Sequence, residues 1–348
     1  MRRMISVVIP CLNEAEYIDA TLQSLVDQTG CDEPWEVVVA DGGSTDGTRE
    51  ILTAWSQRDD RFRWIDNPSR FTPQALNLGI EAARGETVII LGAHAQCAPD
   101  FLQRNAEALR AHPESACVGG VVEQVHGSAV SRRIGAALST PFGVGDARFR
   151  TGGTAGHVDT VAFGAYRKAA LEEIGGFDEH LIRNQDDELN FRLHEAGWRI
   201  WFDPRIRSNY HVRSSFGKLF RQYRQYGYWK VFVNRKHRTV TTWRQVVPAL
   251  FLAFLALTSL LALTDLAGVI PLVWRGVSAS VWVTIVLAWT IGAVVSAMAV
   301  ADESHDVLGI VKAYLWVHVA YGLGYWEGVG RFIILRGAPR DASKALTR

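Results

Sequence analysis

Two stretches near the end of the chain, Val246–Thr264 and Gly276–Ala301, contain no formally charged residue. A helix needs ~20 apolar residues to cross the hydrocarbon core of a bilayer, so each stretch is long enough to span one. Everything before them has the mixed composition of a water-soluble protein. At ~150 residues per domain, 348 residues leave room for a sizeable folded domain ahead of the apolar region. The balance of 37 Lys+Arg against 36 Asp+Glu excludes a generally basic nucleic-acid binder and an acidic disordered chain.

Charge divides the chain more sharply than hydropathy does. Residues 205–244 hold 11 Lys+Arg, from Arg205 through Arg213 to Arg244, and no acid. A basic block directly before a first span places the preceding domain on the cytoplasmic side. It is also suited to anionic lipid headgroups, at ~1 kcal/mol per basic residue near the surface. A purely topogenic role and a phosphate-handling role are both open. The opening Met1-Arg2-Arg3-Met4 and the short apolar run that stops at Pro10 are too short for a secretory signal, which fits a cytosolic leading domain. Cys11, Cys31, Cys97 and Cys117 are widely spaced, without a CxxC pair, and read as reduced structural thiols.

The first 200 or so residues alternate between two periodicities. Ile5–Pro10, Trp35–Ala40 and Thr87–Leu91 are short β-branched runs, the pattern of buried parallel strands. Between them lie the helix-like stretches Ala15–Gln28, Thr45–Gln57 and Pro73–Ala83, the last with Thr72 as N-cap. That alternation implies an α/β domain, a mostly parallel sheet with flanking helices. Ligands of such sheets sit beyond the carboxyl ends of the strands. The expected organisation is a cytoplasmic α/β domain over 1–204, basic interfacial helices over 205–245, a helical membrane region over 246–335, and a basic tail over 336–348. Residues 307–330 are interrupted by Lys312, His318 and Glu327. They read either as a re-entrant or interfacial segment after two full spans, or as a third span.

The residues just after each strand are therefore the informative ones. Pro10-Cys11-Leu12-Asn13-Glu14 follows the first, and Asp41-Gly42-Gly43-Ser44-Thr45-Asp46-Gly47-Thr48 the second. The second is a turn and helix start, and it also has the makings of a nucleotide cradle. Glycines let the backbone approach, a helix N-terminus attracts phosphate, and Asp41 can accept from a base or ribose. With no GxGxxG after the first strand and no GxxxxGK[ST], a dinucleotide fold and a P-loop are disfavoured.

These two segments in this order resemble the family 2 glycosyltransferases with the GT-A fold. Four later stretches agree: Ala75-Leu76-Asn77-x-Gly79 with Ala83-Arg84-Gly85-Glu86; Gly164-Ala165-Tyr166-Arg167; Gly175-Gly176-Phe177-Asp178; and Asn184-Gln185-Asp186-Asp187-Glu188-Leu189-Asn190-x-Arg192. Val158–Lys230 is most similar to the succinoglycan-type exopolysaccharide glycosyltransferases. The resemblance implies a nucleotide-diphosphate sugar donor, with Pro10, Asn13, Glu14, Asp41, Gly43, Ser44, Asn77 and Gly92 in or beside its pocket. It aligns Asp186 with the catalytic base, Asp187 being the neighbouring candidate, and puts Gln185 where the family usually has Glu. Inverting transfer needs one carboxylate to deprotonate the acceptor hydroxyl and positive charge on the leaving diphosphate. Arg167 is a further candidate for the acceptor or diphosphate.

Two departures stand out. After Thr87–Leu91 the family normally carries Asp-x-Asp, for ribose and a divalent cation; this chain has Gly92-Ala93-His94. Imidazole suits Mn²⁺, whereas Mg²⁺ prefers oxygen. His94, with His211 as a second ligand, is the expected metal pair, and weak metal dependence is also open. Gln225-Tyr226-Gly227-Tyr228-Trp229 resembles Gln-x-x-Arg-Trp with Tyr228 in place of Arg. By that resemblance Gln225 and Trp229 would meet the acceptor and diphosphate, with Arg224 or Lys230 replacing the cation; an amphipathic interfacial helix explains the same composition. The glycine-rich stretch 141–157 is suited to a lid or to a plain flexible loop. The resulting expectation is a membrane-anchored transferase acting on a lipid-linked glycan. A processive polysaccharide synthase and an inactive nucleotide-sugar-binding subunit are the alternatives.

Overall fold

The computed structural model describes residues 4–211, 215–267, 276–303 and 306–339. Met1-Arg2-Arg3, Arg213 and the basic tail from position 340 onward lie outside the described residues. The chain forms two compact units: Met1–Val125 with Asp146–His211, and His126–Gly145 with Val212–Arg348.

In the first unit the order is β1 (Ile5–Cys11), α1 (Ile18–Val26), β2 (Trp35–Asp41), α2 (Thr48–Arg58), β3 (Phe62–Asp66), α3 (Thr72–Ala82), β4 (Thr87–Ile90), β5 (Ala95–Cys97), α4 (Phe101–Ala111) and β6 (Ser115–Val125). Helices α5 (Ala129–Leu138) and α6 (Pro141–Val144) then belong to the second unit. The first unit resumes with α7 (Arg148–Thr151), β7 (Gly156–His157), β8 (Ala162–Arg167), α8 (Lys168–Glu173), α9 (Gln185–Glu195) and β9 (Arg199–His211). Its strands form one sheet in the order β3-β2-β1-β4-β8-β6-β9-β5, with β7 beside β9. Strands β1 to β4 are parallel where they pair. The antiparallel β8 joins them to β6.

The central strands are buried on both faces, which is why they read as unbroken β-branched runs. Val7, Ile9, Val37 and Val39 face Ile18, Leu22, Leu52 and Phe101. Val8 and Val88 face Leu76, Ile80, Leu171, Leu189 and Leu193 on the other side. Gly79 lets α3 settle onto β1, since a Cβ there would stand 2.2 Å from Val8 Cγ1. Helix α3 begins one residue earlier than expected: Phe71 is the N-cap and Thr72 lies inside the helix. Strand β3 escapes a reading by pattern because Phe62 is its one buried side chain.

The second unit continues with α10 (Phe216–His237), α11 (Val247–Leu266), α12 (Val277–Met298) and α13 (Asp306–Gly328), followed by a π-helical turn over Val329–Ile334. Among the described residues three helices are long and apolar enough to cross a membrane: Trp243–Thr264, Ala279–Met298 and Asp306–Ile334. The third runs unbroken through 307–330, so a re-entrant loop is not what the structure shows. Its polar residues are partnered within the unit. Lys312 Nζ lies 4.7 Å above the Phe216 ring. His318 takes the Trp289 indole N–H at 3.1 Å and bonds the Phe142 carbonyl at 2.9 Å. Glu327 accepts from Arg224 at 2.8 Å.

The glycine-rich stretch 141–157 carries two short helices and a short strand. Pro141–Val144 is α6, where a Cβ on the buried Gly143 would stand 2.1 Å from the Ala137 carbonyl. Arg148–Thr151 is α7, and Gly156–His157 pairs with β9.

Candidate active site

The loops after β1 and β2 are clasped to each other at the carboxyl edge of the sheet. Asn13 takes the left-handed conformation, φ 53°, and turns the chain across the next strand end. Its backbone N–H donates to Ser44 Oγ at 2.7 Å, and its side-chain oxygen accepts from the Thr45 N–H at 2.8 Å. The Glu14 N–H donates to Thr48 Oγ1 at 2.9 Å, and the Ala15 N–H to Asp46 at 3.1 Å. Gly42 passes so near the third loop that a Cβ would lie 3.3 Å from Arg70 Cα, and Gly43 sits at φ 82°.

Asp41 is the buried anchor of this arrangement. It accepts from the N–H groups of Gly43 and Ser44 at 3.0 and 3.1 Å, and from Ser44 Oγ at 2.5 Å. Arg49 Nε donates to it at 2.6 Å and, through Nη2, reaches Asp66 at 2.5 Å. Burial pushes the Asp41 carboxyl up, but the Ser44 hydroxyl, the Arg49 guanidinium and the two N–H groups outweigh it and hold it below the usual carboxylate range. Arg49 also lies 5.2 Å from the Trp64 ring centre. Beside them the buried side-chain oxygen of Asn67 has no protein partner. Arg49, Asp66 and Asn67 were not singled out from sequence. The only signal in the sequence is an acid that ends β3 and an amide directly after it.

Beyond β4, Gly92 faces an aromatic ring instead of carrying a carboxylate. A Cβ there would stand 3.1 Å from Phe163 Cε1. Phe163 itself has φ 51°, a strained backbone for a bulky residue. His94 follows, its Nδ1 3.6 Å from Glu14 Oε2 and its ring centre 5.1 Å from that of Tyr210. Among the described residues no three His, Cys, Asp or Glu side chains converge to hold a metal by themselves. His211 ends β9, and its side chain lies outside the described part of the structure.

The acidic run on α9 separates into distinct positions. Glu188 is fully buried and pairs with Arg192 at 2.9 Å. Arg192 also donates to the Ile174 and Gly176 carbonyls at 2.6 Å each, which holds the Gly175-Gly176-Phe177-Asp178 turn. Asp186 is exposed and accepts from the Asp187 N–H at 2.9 Å. It shares a helix face with Asn190, one turn on. Asn190 donates to Thr160 Oγ1 at 2.9 Å, just ahead of the β8 start that meets Gly92.

Several expected contact residues have other work in the structure. The Asn77 amide donates to the Phe177 carbonyl at 2.9 Å and accepts from the Phe177 N–H at 2.8 Å, so it ties α3 to that turn. Arg167 sits opposite Thr87, at the amino end of β4, because β8 runs antiparallel. Its guanidinium donates to the carbonyls of Leu109 and His112 at the end of α4 and of Ser115 at the start of β6, away from the carboxyl edge where an acceptor is expected. In the second unit Trp229 is fully buried against Tyr228 and Phe232, so it presents no ring face to a sugar. Arg224 is engaged by Glu327, Gln225 is half-buried on the same helix, and the buried Lys230 donates to Thr242 at 3.2 Å.

A mostly parallel sheet with these clasped strand-end loops and an acid-started helix after the antiparallel return is a GT-A-type α/β domain. The model of glycosyl transferase family 2 matches residues 6–175. The succinoglycan biosynthesis protein ExoA of Rhizobium meliloti is 32% identical over 327 residues, 92% of this chain and 93% of that protein. The chain belongs to glycosyltransferase family 2. A Methanococcus voltae dolichyl N-acetyl-alpha-D-glucosaminyl phosphate 3-beta-D-2,3-diacetamido-2,3-dideoxy-beta-D-glucuronosyltransferase is 31% identical over 67% of this chain and 74% of its own. Among solved structures, the mannosyltransferase PcManGT from Pyrobaculum calidifontis, in complex with GDP-Man and Mn²⁺, has the same fold. Its TM-score is 0.61 at 21% identity, over 93% of this chain and 88% of that one.

Proposed function

We propose that the chain transfers a single sugar, with inversion, from a nucleotide-diphosphate sugar to a lipid-linked glycan at the cytoplasmic face of a membrane, in polysaccharide biosynthesis. The observation that carries this reading is the placement of Asp186. It shares a face with Asn190, whose partner Thr160 leads into the strand that meets Gly92 at the sheet's carboxyl edge. Glu188 is committed to Arg192, so the acidic run offers Asp186, ahead of Asp187, as the base.

In the reaction the acceptor oxygen forms its bond to the anomeric carbon while the bond from that carbon to the diphosphate breaks. The hydroxyl proton passes to Asp186, and the bonding pair leaves with the diphosphate. Pro10, Asn13, Asp41, Gly43 and Ser44 would hold the nucleoside, their loops fixed in advance by the Asn13–Ser44 and Asp41–Arg49 bonds. A divalent cation, when bound, would supply positive charge to the leaving diphosphate, and His94 would help to hold it. The imidazole donor favours Mn²⁺ over Mg²⁺. Membrane attachment raises the effective concentration of an acceptor that is itself held in the bilayer. The basic residues of 205–244 and the highly exposed Trp243 suit a headgroup region.

The test supplies membranes containing the protein with a panel of radiolabelled nucleotide sugars and extracts lipid-linked product into organic solvent. Label in one discrete lipid species, dependent on the protein and lost in EDTA, is expected. A ladder of products would instead indicate a polymerising synthase. Donor binding without any transfer, with acceptor lipid present, would contradict catalysis.

A further inference from the structure

Of Leu91-Gly92-Ala93-His94 after β4, His94 alone has a side chain that can donate to a cation, and Gly92 stands where the family's ribose-binding acid would be. Gly92 has no side chain, and the Phe163 ring stands where one would begin, 3.1 Å from an added Cβ. A neighbouring strand end brings a carboxylate to His94 instead. Glu14 follows β1, which pairs in parallel with β4, and its Oε2 lies 3.6 Å from His94 Nδ1. We infer that Glu14, together with His94, ligates the divalent cation of this enzyme and supplies a carboxylate that the strand end carrying His94 lacks. The inference rests on the transferase reading above.

The spacing suits a shared ion. Two donors each about 2.1 Å from one cation stand about 3.0–3.5 Å apart, close to the observed separation. Both backbones are fixed by hydroxyl groups. The Glu14 N–H donates to Thr48 Oγ1 at 2.9 Å, and Thr21 Oγ1 donates to the carbonyl of Ala93 at 2.9 Å. The His94 ring is bordered by Tyr17 and Tyr210, with centres 6.2 and 5.1 Å away. Neither side chain is sealed: His94 is 31% exposed and Glu14 16%. One carboxylate and one imidazole leave most of the coordination sphere to the donor's phosphates and to water, as is usual at phosphate-transfer cations. Cation and nucleotide must then bind synergistically, each raising the other's affinity by the same factor.

The experiment titrates Mn²⁺ into the purified full chain by electron paramagnetic resonance, with UDP, GDP, CDP, ADP or dTDP present and against each nucleotide alone. In parallel, nucleotide binding is measured in EDTA. Glu14→Gln is expected to weaken Mn²⁺ at the nucleotide-loaded protein at least ten-fold while leaving nucleotide affinity in EDTA within two-fold. Glu14→Cys is expected to shift preference from Mn²⁺ toward the thiophilic Cd²⁺ by at least ten-fold relative to wild type. Equal loss of nucleotide affinity with and without metal would place Glu14 on the nucleoside and overturn the proposal. So would Mn²⁺ affinity unchanged in Glu14→Gln, or no Cd²⁺ shift in Glu14→Cys. A wild-type chain that binds none of the nucleotides contradicts the transferase reading itself, and the proposal with it.

Discussion

Asp41 keeps its charge in the protein interior because Gly43, Ser44 and Arg49 all donate to it. Asp41→Asn removes the buried carboxylate that Arg49 shares with Asp66 and that Ser44 and Gly43 cap, and is expected to cost about 3 kcal/mol of stability and to weaken nucleotide binding, read by chemical denaturation and calorimetry. Because the folded-state pKa is lowered, this contribution is full above the unfolded value of about 3.9 and is lost as pH falls through the folded value. Wild type should therefore lose more stability than Asp41→Asn below about pH 4. Glu188→Gln is expected to destabilise by a similar amount, about 3 kcal/mol, since it leaves Arg192 without its buried partner. At this scale the strand-end residues were legible because their chemistry is visible in their identity. The roles of Asn77 and Arg167 were not. Both belong to the same motifs, but their hydrogen bonds go to backbone 100 and 52 residues away, which spacing along a chain does not reveal.

Helices α10 and α13 meet along a seam of glycines. A Cβ on Gly227 would stand 2.0 Å from the Tyr321 carbonyl, and one on Gly324 would stand 1.9 Å from the Arg224 carbonyl. Such close backbone approach is how apolar helices gain contact when lipid is as apolar as their side chains. Gly324→Ala is expected to cost about 1–3 kcal/mol by overpacking, measured by thermal unfolding in detergent. Gly330→Ala is its control, because nothing lies within 4 Å of an added Cβ there. The apolar stretches were readable from sequence. The membership of α5 and α6 in this unit was not. Phe142 packs on Tyr314 with ring centres 4.9 Å apart, and Arg133 pairs with Asp306 at 2.6 Å, partners that follow more than 170 residues later. A short amphipathic helix looks the same in sequence whether its apolar face meets a sheet or a membrane helix. For a similar reason β3 and the long β9 went unseen, their alternation being too weak or interrupted by charge.

At the scale of the whole molecule, if all three apolar helices cross and the first unit is cytoplasmic as proposed, the chain ends outside the cytoplasm. A cysteine introduced as Arg348→Cys is then expected to react with an impermeant reagent from the outer face; labelling only after the membrane is opened would mean an even number of crossings or the opposite orientation. The chemistry offers a sharper decision. The central claim is that a family 2 transferase domain uses Asp186 to take the acceptor proton. The direct measurement is the single-turnover transfer rate of wild type, Asp186→Asn and Asp187→Asn, with equal nucleotide binding and melting confirmed for each. A general base contributes about 10²–10⁴-fold, so Asp186→Asn should lose at least 10²-fold while Asp187→Asn stays within ten-fold of wild type. An Asp186→Asn protein that transfers sugar at near wild-type rate would contradict the account.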